Sequence, residues 1–146
     1  MKKRKIKPHI RLAGDPILET VCSPVEDGED VSKIIKDMLY VLIDQKGVGI
    51  AAPQVGYAKR VIVIKAYGEF IVMINPVVEF EYGSVCGEEG CLSYPNEFRW
   101  INRHQAIKVN YVPERGYSVR TDHYDFPARI IQHELDHLDG TCKIGE

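Results

Sequence analysis

The pentapeptide His133-Glu-Leu-Asp-His137 constrains this chain more than any other stretch. Side chains four apart share one face of a helix, so both imidazoles can reach a single metal ion. Glu134, one step round, can address a water on that ion without ligating it. Two imidazoles do not complete a site. Only Leu138 to Glu146 follow, and although Gly140 matches an extended zinc-protease motif, Lys143 stands where its last His would be. A third ligand therefore has to come from upstream, where the candidates are Cys86, Cys91, His104, His123 and several carboxylates.

The rest of the chain reads as one domain over residues 1–146, within the usual size of a single core. An apolar fraction of 45% and a charged fraction of 27% exclude a disordered or fibrous chain. A net charge of −2 argues against DNA binding along a basic face, and no apolar run is long enough to cross a bilayer. The basic head, Lys2 to Lys7, is followed by Pro8-His-Ile-Arg11 rather than an apolar stretch, so export is not expected. The four cysteines, Cys22, Cys86, Cys91 and Cys142, then belong to a reducing, cytoplasmic setting in which disulfides are not needed.

Val31, Ile34, Ile35, Met38, Leu39, Leu42 and Ile43 recur at helical spacing, with Asp30 as the expected N-cap and Gly47 as the stop. Gly47-Val-Gly-Ile-Ala-Ala-Pro-Gln54 is too rich in small residues for an ordinary helix or strand and reads as a linker. Arg60 to Ala66, Phe70 to Asn75, Val77 to Tyr82, Ala106 to Val112 and Tyr117 to Thr121 carry strand chemistry. A last helix runs from Asp125, its cap, through Pro127 in the first turn to a stop at Gly140. Helix, strands, helix predicts an α+β fold, with antiparallel strands packed around a central C-terminal metal-binding helix and an N-terminal amphipathic helix.

Among the upstream ligand candidates, context favours Cys91. It lies in Glu89-Gly-Cys-Leu-Ser93-Tyr-Pro95, where Gly90 permits close backbone approach and Pro95 suggests an irregular, positioned segment. Cys22, Cys86 and Cys142 read as small buried hydrophobes. His9, His104 and His123 read as surface or hydrogen-bonding residues. Arg103 is a candidate ion-pair partner for Glu89, holding the cysteine segment from behind. The glycines of Gly47 to Gln54 lack the spacing of a phosphate loop, but their small side chains make a surface for an extended peptide, with the Gln54 amide free to donate.

Three segments, Gly47-Val-Gly-Ile-Ala-Ala-Pro-Gln54, Glu89-Gly-Cys-Leu-Ser93 and Gln132-His-Glu-Leu-Asp-His-Leu-Asp-Gly140, together resemble the peptide deformylase family, whose members remove the formyl group from the N-terminal methionine of new proteins. The resemblance extends from Asp15-Pro-Ile-Leu18 to Gly140. It implies that Cys91, His133 and His137 hold one divalent ion, with water in the fourth position and Glu134 as general base and then general acid. It further implies that the Gln54 side-chain amide and the Leu92 backbone N–H stabilise the oxyanion. The substrate peptide would lie along Val48, Gly49 and Gly90, its methionine side chain in a pocket including Val48, Ile130 and the His133 ring.

One thiolate and two imidazoles suit Zn²⁺, Fe²⁺, Co²⁺ or Ni²⁺, and the family implies Fe²⁺ as the physiological ion. The implied partners are N-formyl-methionyl nascent peptides. The basic head reads as a solvated tail, with a weak contact to ribosomal RNA as its alternative. Family members commonly continue past the metal-binding helix, so a chain stopping at Glu146 reads as a short form without the C-terminal extension. Competing readings are a small zinc peptidase, opposed by the absent downstream ligand, and a non-catalytic metal-site protein, opposed by Glu134 and Gln54.

Overall fold

The run Val61-Ile-Val-Ile64 is apolar without alternation, a pattern that is stable only where both faces of a strand are covered. In the computed structural model, which describes residues 6–145, these four side chains are fully buried within β2 (Val61–Ala66). Val61 and Val63 pack with Ile34, Ile35, Met38 and Leu42 of helix α1 (Ser32–Asp44). Ile62 and Ile64 pack on the other side with Ile130, Ile131 and Leu138 of helix α2 (Asp125–Leu138). The sheet is therefore sandwiched between the two helices.

That sheet has five antiparallel strands in the order β1-β2-β3-β6-β7, with β1 spanning Gly49–Ala51, β3 Glu69–Tyr82, β6 Ala106–Val112 and β7 Val119–Tyr124. A separate antiparallel hairpin joins β4 (Val85–Cys91) to β5 (Tyr94–Arg103). The fold is α+β with antiparallel sheets and a C-terminal helix, as the element order predicts. No helix among the described residues is long and apolar enough to cross a membrane. The basic head falls outside the described residues, apart from Ile6 and Lys7.

Several local expectations are corrected. The segment read as a linker contains strand β1, paired Gly49 to Ile64 and Ala51 to Ile62, followed by a 3-10 turn over Ala52–Val55. Small residues do not prevent pairing when a strongly β-forming neighbour supplies the ladder. Phe70 to Asn75 and Val77 to Tyr82 form one strand, not two. Asn75 adopts a left-handed φ of 51° and its side chain exchanges two hydrogen bonds with the Val25 backbone, so the Pro76 step becomes a bulge within β3. Strand β7 lies further along than Tyr117 to Thr121 and runs directly into α2. Strands β4 and β5 were not expected; Pro95 sits inside β5, on a two-stranded sheet in which every strand has a free edge.

The caps also differ. Asp30 Oδ1 accepts from the Ser32 N–H at 2.9 Å, but the residue next to the helix is Val31, which makes no capping bond. At the other end Lys46, not Gly47, takes the left-handed conformation, with φ 53°. Asp125 is the first residue of α2 rather than its cap, with φ 57°. Gly140, with φ 71°, does terminate α2 as expected.

Candidate active site

Helix α2 lies under β1 and β2 with His133, Glu134 and His137 on its buried face. Across from it, Cys91 ends β4, paired with Tyr94 at an irregularity in the hairpin. The Cys91 Sγ stands 3.2 Å from His137 Nε2, and the two imidazoles meet edge to face with centroids 5.1 Å apart. Ligand atoms of Cys91, His133, His137 and also Cys142 all lie within 4.8 Å of one another. Donors around a tetrahedral zinc-like ion sit roughly 2.0–2.3 Å from it and hence less than 5 Å from each other, so this set of soft sulfur and imidazole donors fits a divalent ion.

The orientation of His133 is fixed from behind. Its Nδ1 donates to Glu89 Oε1 at 2.9 Å, which leaves Nε2 as the nitrogen directed to the site, where a bound ion would take the place of a proton. Glu89 in turn accepts two parallel bonds from Arg103, both 2.9 Å, so the ion pair expected from the sequence is present and buried. Arg129 Nη1 adds a third cationic contact to Glu89 at 2.6 Å, and Arg103 Nη1 reaches Asp136 on α2 at 2.6 Å. Burial alone would push the Glu89 carboxyl up, but the bonds from His133 and Arg103 prevail and hold it at about 2. The same contact raises His133 to about 9 against the opposing effect of burial.

Glu134 is buried, and its Oε1 has no hydrogen-bond partner among the described residues. Burial pushes its carboxyl above the ordinary range, although His133 and His137 pull it down. Gly49 is required here: a Cβ on it would lie 2.6 Å from Glu134 Oε2 and 2.6 Å from Ile130 Cγ2. Gln54 is buried rather than free. Its Oε1 accepts from the Ala51 N–H at 2.9 Å, while its Nε2 donates to Ser93 Oγ at 3.1 Å and faces Cys91 Sγ at 3.6 Å.

One cavity opens above these groups. Val48, Gly49, Gln54, Gly90, Cys91, Leu92, Ile130, His133 and Glu134 all line it, and His137, the expected site residue that does not, joins them through the donor cluster, its Nε2 3.2 Å from Cys91 Sγ. Edge strand β1 and the β4 edge of the hairpin flank it. Phe98, Phe126 and Arg129 also line it and were not expected. Arg129 could have been found: it sits one helical turn before His133, on the same face.

The other candidates are placed elsewhere or differently. Cys86 is exposed, against the expectation of burial, because it lies on the hairpin rather than the sheet. His104 is half-buried and bonded to the Gly83 carbonyl, and His9 is exposed, in keeping with surface or hydrogen-bonding roles. His123 is buried on β7 between Tyr67 and Thr121, at 2.8 and 2.7 Å, since the strand extends through it. Cys22 is a buried hydrophobe in the core. Cys142 is buried too, yet its thiol belongs to the donor cluster, which sequence periodicity could not show because it lies past the turn at Gly140.

Residues 7–145 match the model of the polypeptide deformylase family. The chain is 37% identical over 148 residues to a peptide deformylase of Thermus thermophilus, covering 90% of this chain and 77% of that protein. It is 40% identical over 137 residues to one of Thermotoga maritima, covering 92% and 84%. Among solved structures, a class I type b peptide deformylase from Acinetobacter baumannii, bound to Met-Ala-Ser, superposes with a TM-score of 0.88 at 33% identity, over 97% of this chain and all of that one (100%). The Thermotoga maritima enzyme superposes with a TM-score of 0.89 at 37% identity, over 96% and 97%. Agreement in sequence and fold along nearly the whole described length places this chain in the polypeptide deformylase family.

Proposed function

We propose that this protein hydrolyses the formyl group from N-formyl-methionyl nascent peptides, in the cytoplasm, and that Cys91, His133 and His137 hold the divalent ion the reaction needs. The observation that carries the reading is the buried, unpartnered carboxylate oxygen of Glu134 at the floor of the cavity, beside the donor cluster. A closed structural site has no use for such a group. When bound, the ion supplies Lewis acidity, acidifying water and polarising the formyl oxygen. We propose Fe²⁺ as the physiological ion, with Zn²⁺, Co²⁺ and Ni²⁺ compatible with the same donors.

Glu134 takes the proton from the attacking water and then delivers it to the departing amine, as base and acid in turn. Its raised carboxyl suits both halves of that task. Gln54 donates from Nε2 to the oxyanion that develops on the formyl carbon, and its anchored Oε1 keeps the amide from rotating away. The Leu92 backbone N–H is the second donor. The peptide lies extended along Gly49 and Gly90, between two strand edges that each have free backbone groups to offer. Val48, Ile130 and the His133 ring take the methionine side chain, whose flexible thioether adapts to such a pocket. The Met-Ala-Ser bound to the Acinetobacter relative is a peptide of the kind this reading requires. The basic head reads as a solvated tail, with a weak electrostatic contact to ribosomal RNA as the alternative.

The test is Glu134→Gln, assayed on formyl-Met-Ala-Ser with metal content measured in parallel. Turnover should fall by about 10²–10⁴ while the bound ion is retained. Undiminished turnover would remove Glu134 from the reaction.

A further inference from the structure

The donor cluster contains one thiol more than the proposed reaction uses. We propose that Cys142 is a fourth protein ligand, so that the resting site holds its ion in a Cys91, His133, His137 and Cys142 set; this rests on the metal-site reading above.

The position of Cys142 is enforced from both sides. Gly140 turns the chain in a left-handed conformation, φ 71°, so close under the preceding segment that a Cβ there would lie 2.7 Å from the Glu19 carbonyl. The Thr141 N–H bonds back to the Asp136 carbonyl at 2.9 Å, closing the turn over the end of α2. On the far side Ile144 is fully buried, and Gly145 packs so tightly on the Tyr94 ring that a Cβ would approach it within 2.6 Å. The thiol between these anchors is buried against Cys91 and Tyr94, and its sulfur lies within 4.8 Å of the three other donors.

A cysteine employed only as a small hydrophobe needs no such neighbours. Two sulfurs and two imidazole nitrogens are a complete tetrahedral set for a zinc-like ion, and two thiolates cancel its double positive charge in a buried place where net charge is costly. Cys142 does not line the cavity that Gln54, Cys91, His133 and Glu134 line, so as a ligand it would stand on the side of the donor set away from that cavity.

Metal-edge X-ray absorption on the full chain loaded with Zn²⁺ tests this without any variant. Two sulfur neighbours at roughly 2.3 Å are expected. One sulfur would overturn the proposal and leave the three-ligand reading intact, whereas none would remove both. Cys142→Ala and Cys142→Ser should each weaken Zn²⁺ binding, measured by chelator competition, by at least the roughly 10–100-fold that loss of an outer-shell partner causes. In the Co²⁺-loaded chain, Cys142→Ala should reduce thiolate-to-metal charge-transfer absorption by about half, since one of two thiolates is lost. Unchanged Zn²⁺ affinity in a variant that keeps the wild-type circular dichroism would also overturn it.

Discussion

Glu89 accepts four N–H donors at once, two from Arg103 and one each from Arg129 and His133, which fills the lone-pair positions a carboxylate offers. The arrangement is worth more as alignment than as attraction, because a buried ion pair roughly offsets its own desolvation. Its removal is another matter. Arg103→Ala leaves Glu89 and Asp136 short of a buried cation, which should destabilise the fold by about 3–5 kcal/mol. It should also loosen the His133 ring and lower metal affinity by roughly 10–100-fold. Urea unfolding and chelator competition on the same preparation measure both; a metal affinity equal to wild type would show that Arg129 alone suffices to hold Glu89. At this scale the sequence was informative where chemistry is local. The Arg103 to Glu89 pairing, the two helical imidazoles and the cysteine in its Gly-Cys-Leu-Ser frame could all be read from residue type and neighbours. Cys142 could not, since what makes it a donor is the turn at Gly140 folding it back onto α2, a relation that no spacing encodes.

Among the elements, β7 shows how a strand boundary changes the meaning of a residue. Read as turn-like, His123 is a surface group; carried on a strand that extends to Tyr124, it points inward to Tyr67 on the β2–β3 turn and to Thr121. Burial there holds its imidazole below the ordinary histidine range, with only a small opposing effect from Asp122. The unfolded chain therefore binds the proton more readily than the folded one. Stability is full above the unfolded value, about 6.5, and is lost as the pH falls through and below it towards the folded value. Relative to His123→Gln, which lacks this group but shares every other titration, the wild-type urea midpoint should accordingly fall between about pH 8 and about pH 5.5. An identical pH response in both proteins would show that His123 does not carry the effect. The same element scale explains why β4 and β5 escaped a reading by propensity. Val85-Cys-Gly-Glu-Glu-Gly-Cys91 carries two glycines and two glutamates, poor strand formers, and its strand exists because β5 supplies a full ladder from Arg103 to Phe98. By contrast, β2 and α1 announce themselves through long runs of one hydrophobic period.

The whole molecule is organised by the two faces of the five-stranded sheet. Met38 of α1 lies fully buried in the cluster on one face, and Ile131 of α2 lies fully buried in the cluster on the other. The continuous apolar run of β2 is what makes this possible, since it gives each helix its own row of side chains. Truncating either residue to alanine should cost about 2–5 kcal/mol through lost contacts and a residual cavity. Because the clusters share no side chain and the sheet separates them, the two losses should add. Their sum, about 4–10 kcal/mol, is comparable to the whole stability of an ordinary domain, about 5–15 kcal/mol. Met38→Ala and Ile131→Ala should thus each unfold in a single cooperative step at a lower urea midpoint, while the double variant should be largely unfolded without denaturant. A double variant no less stable than the weaker single one would mean that the two helices do not stabilise the sheet independently.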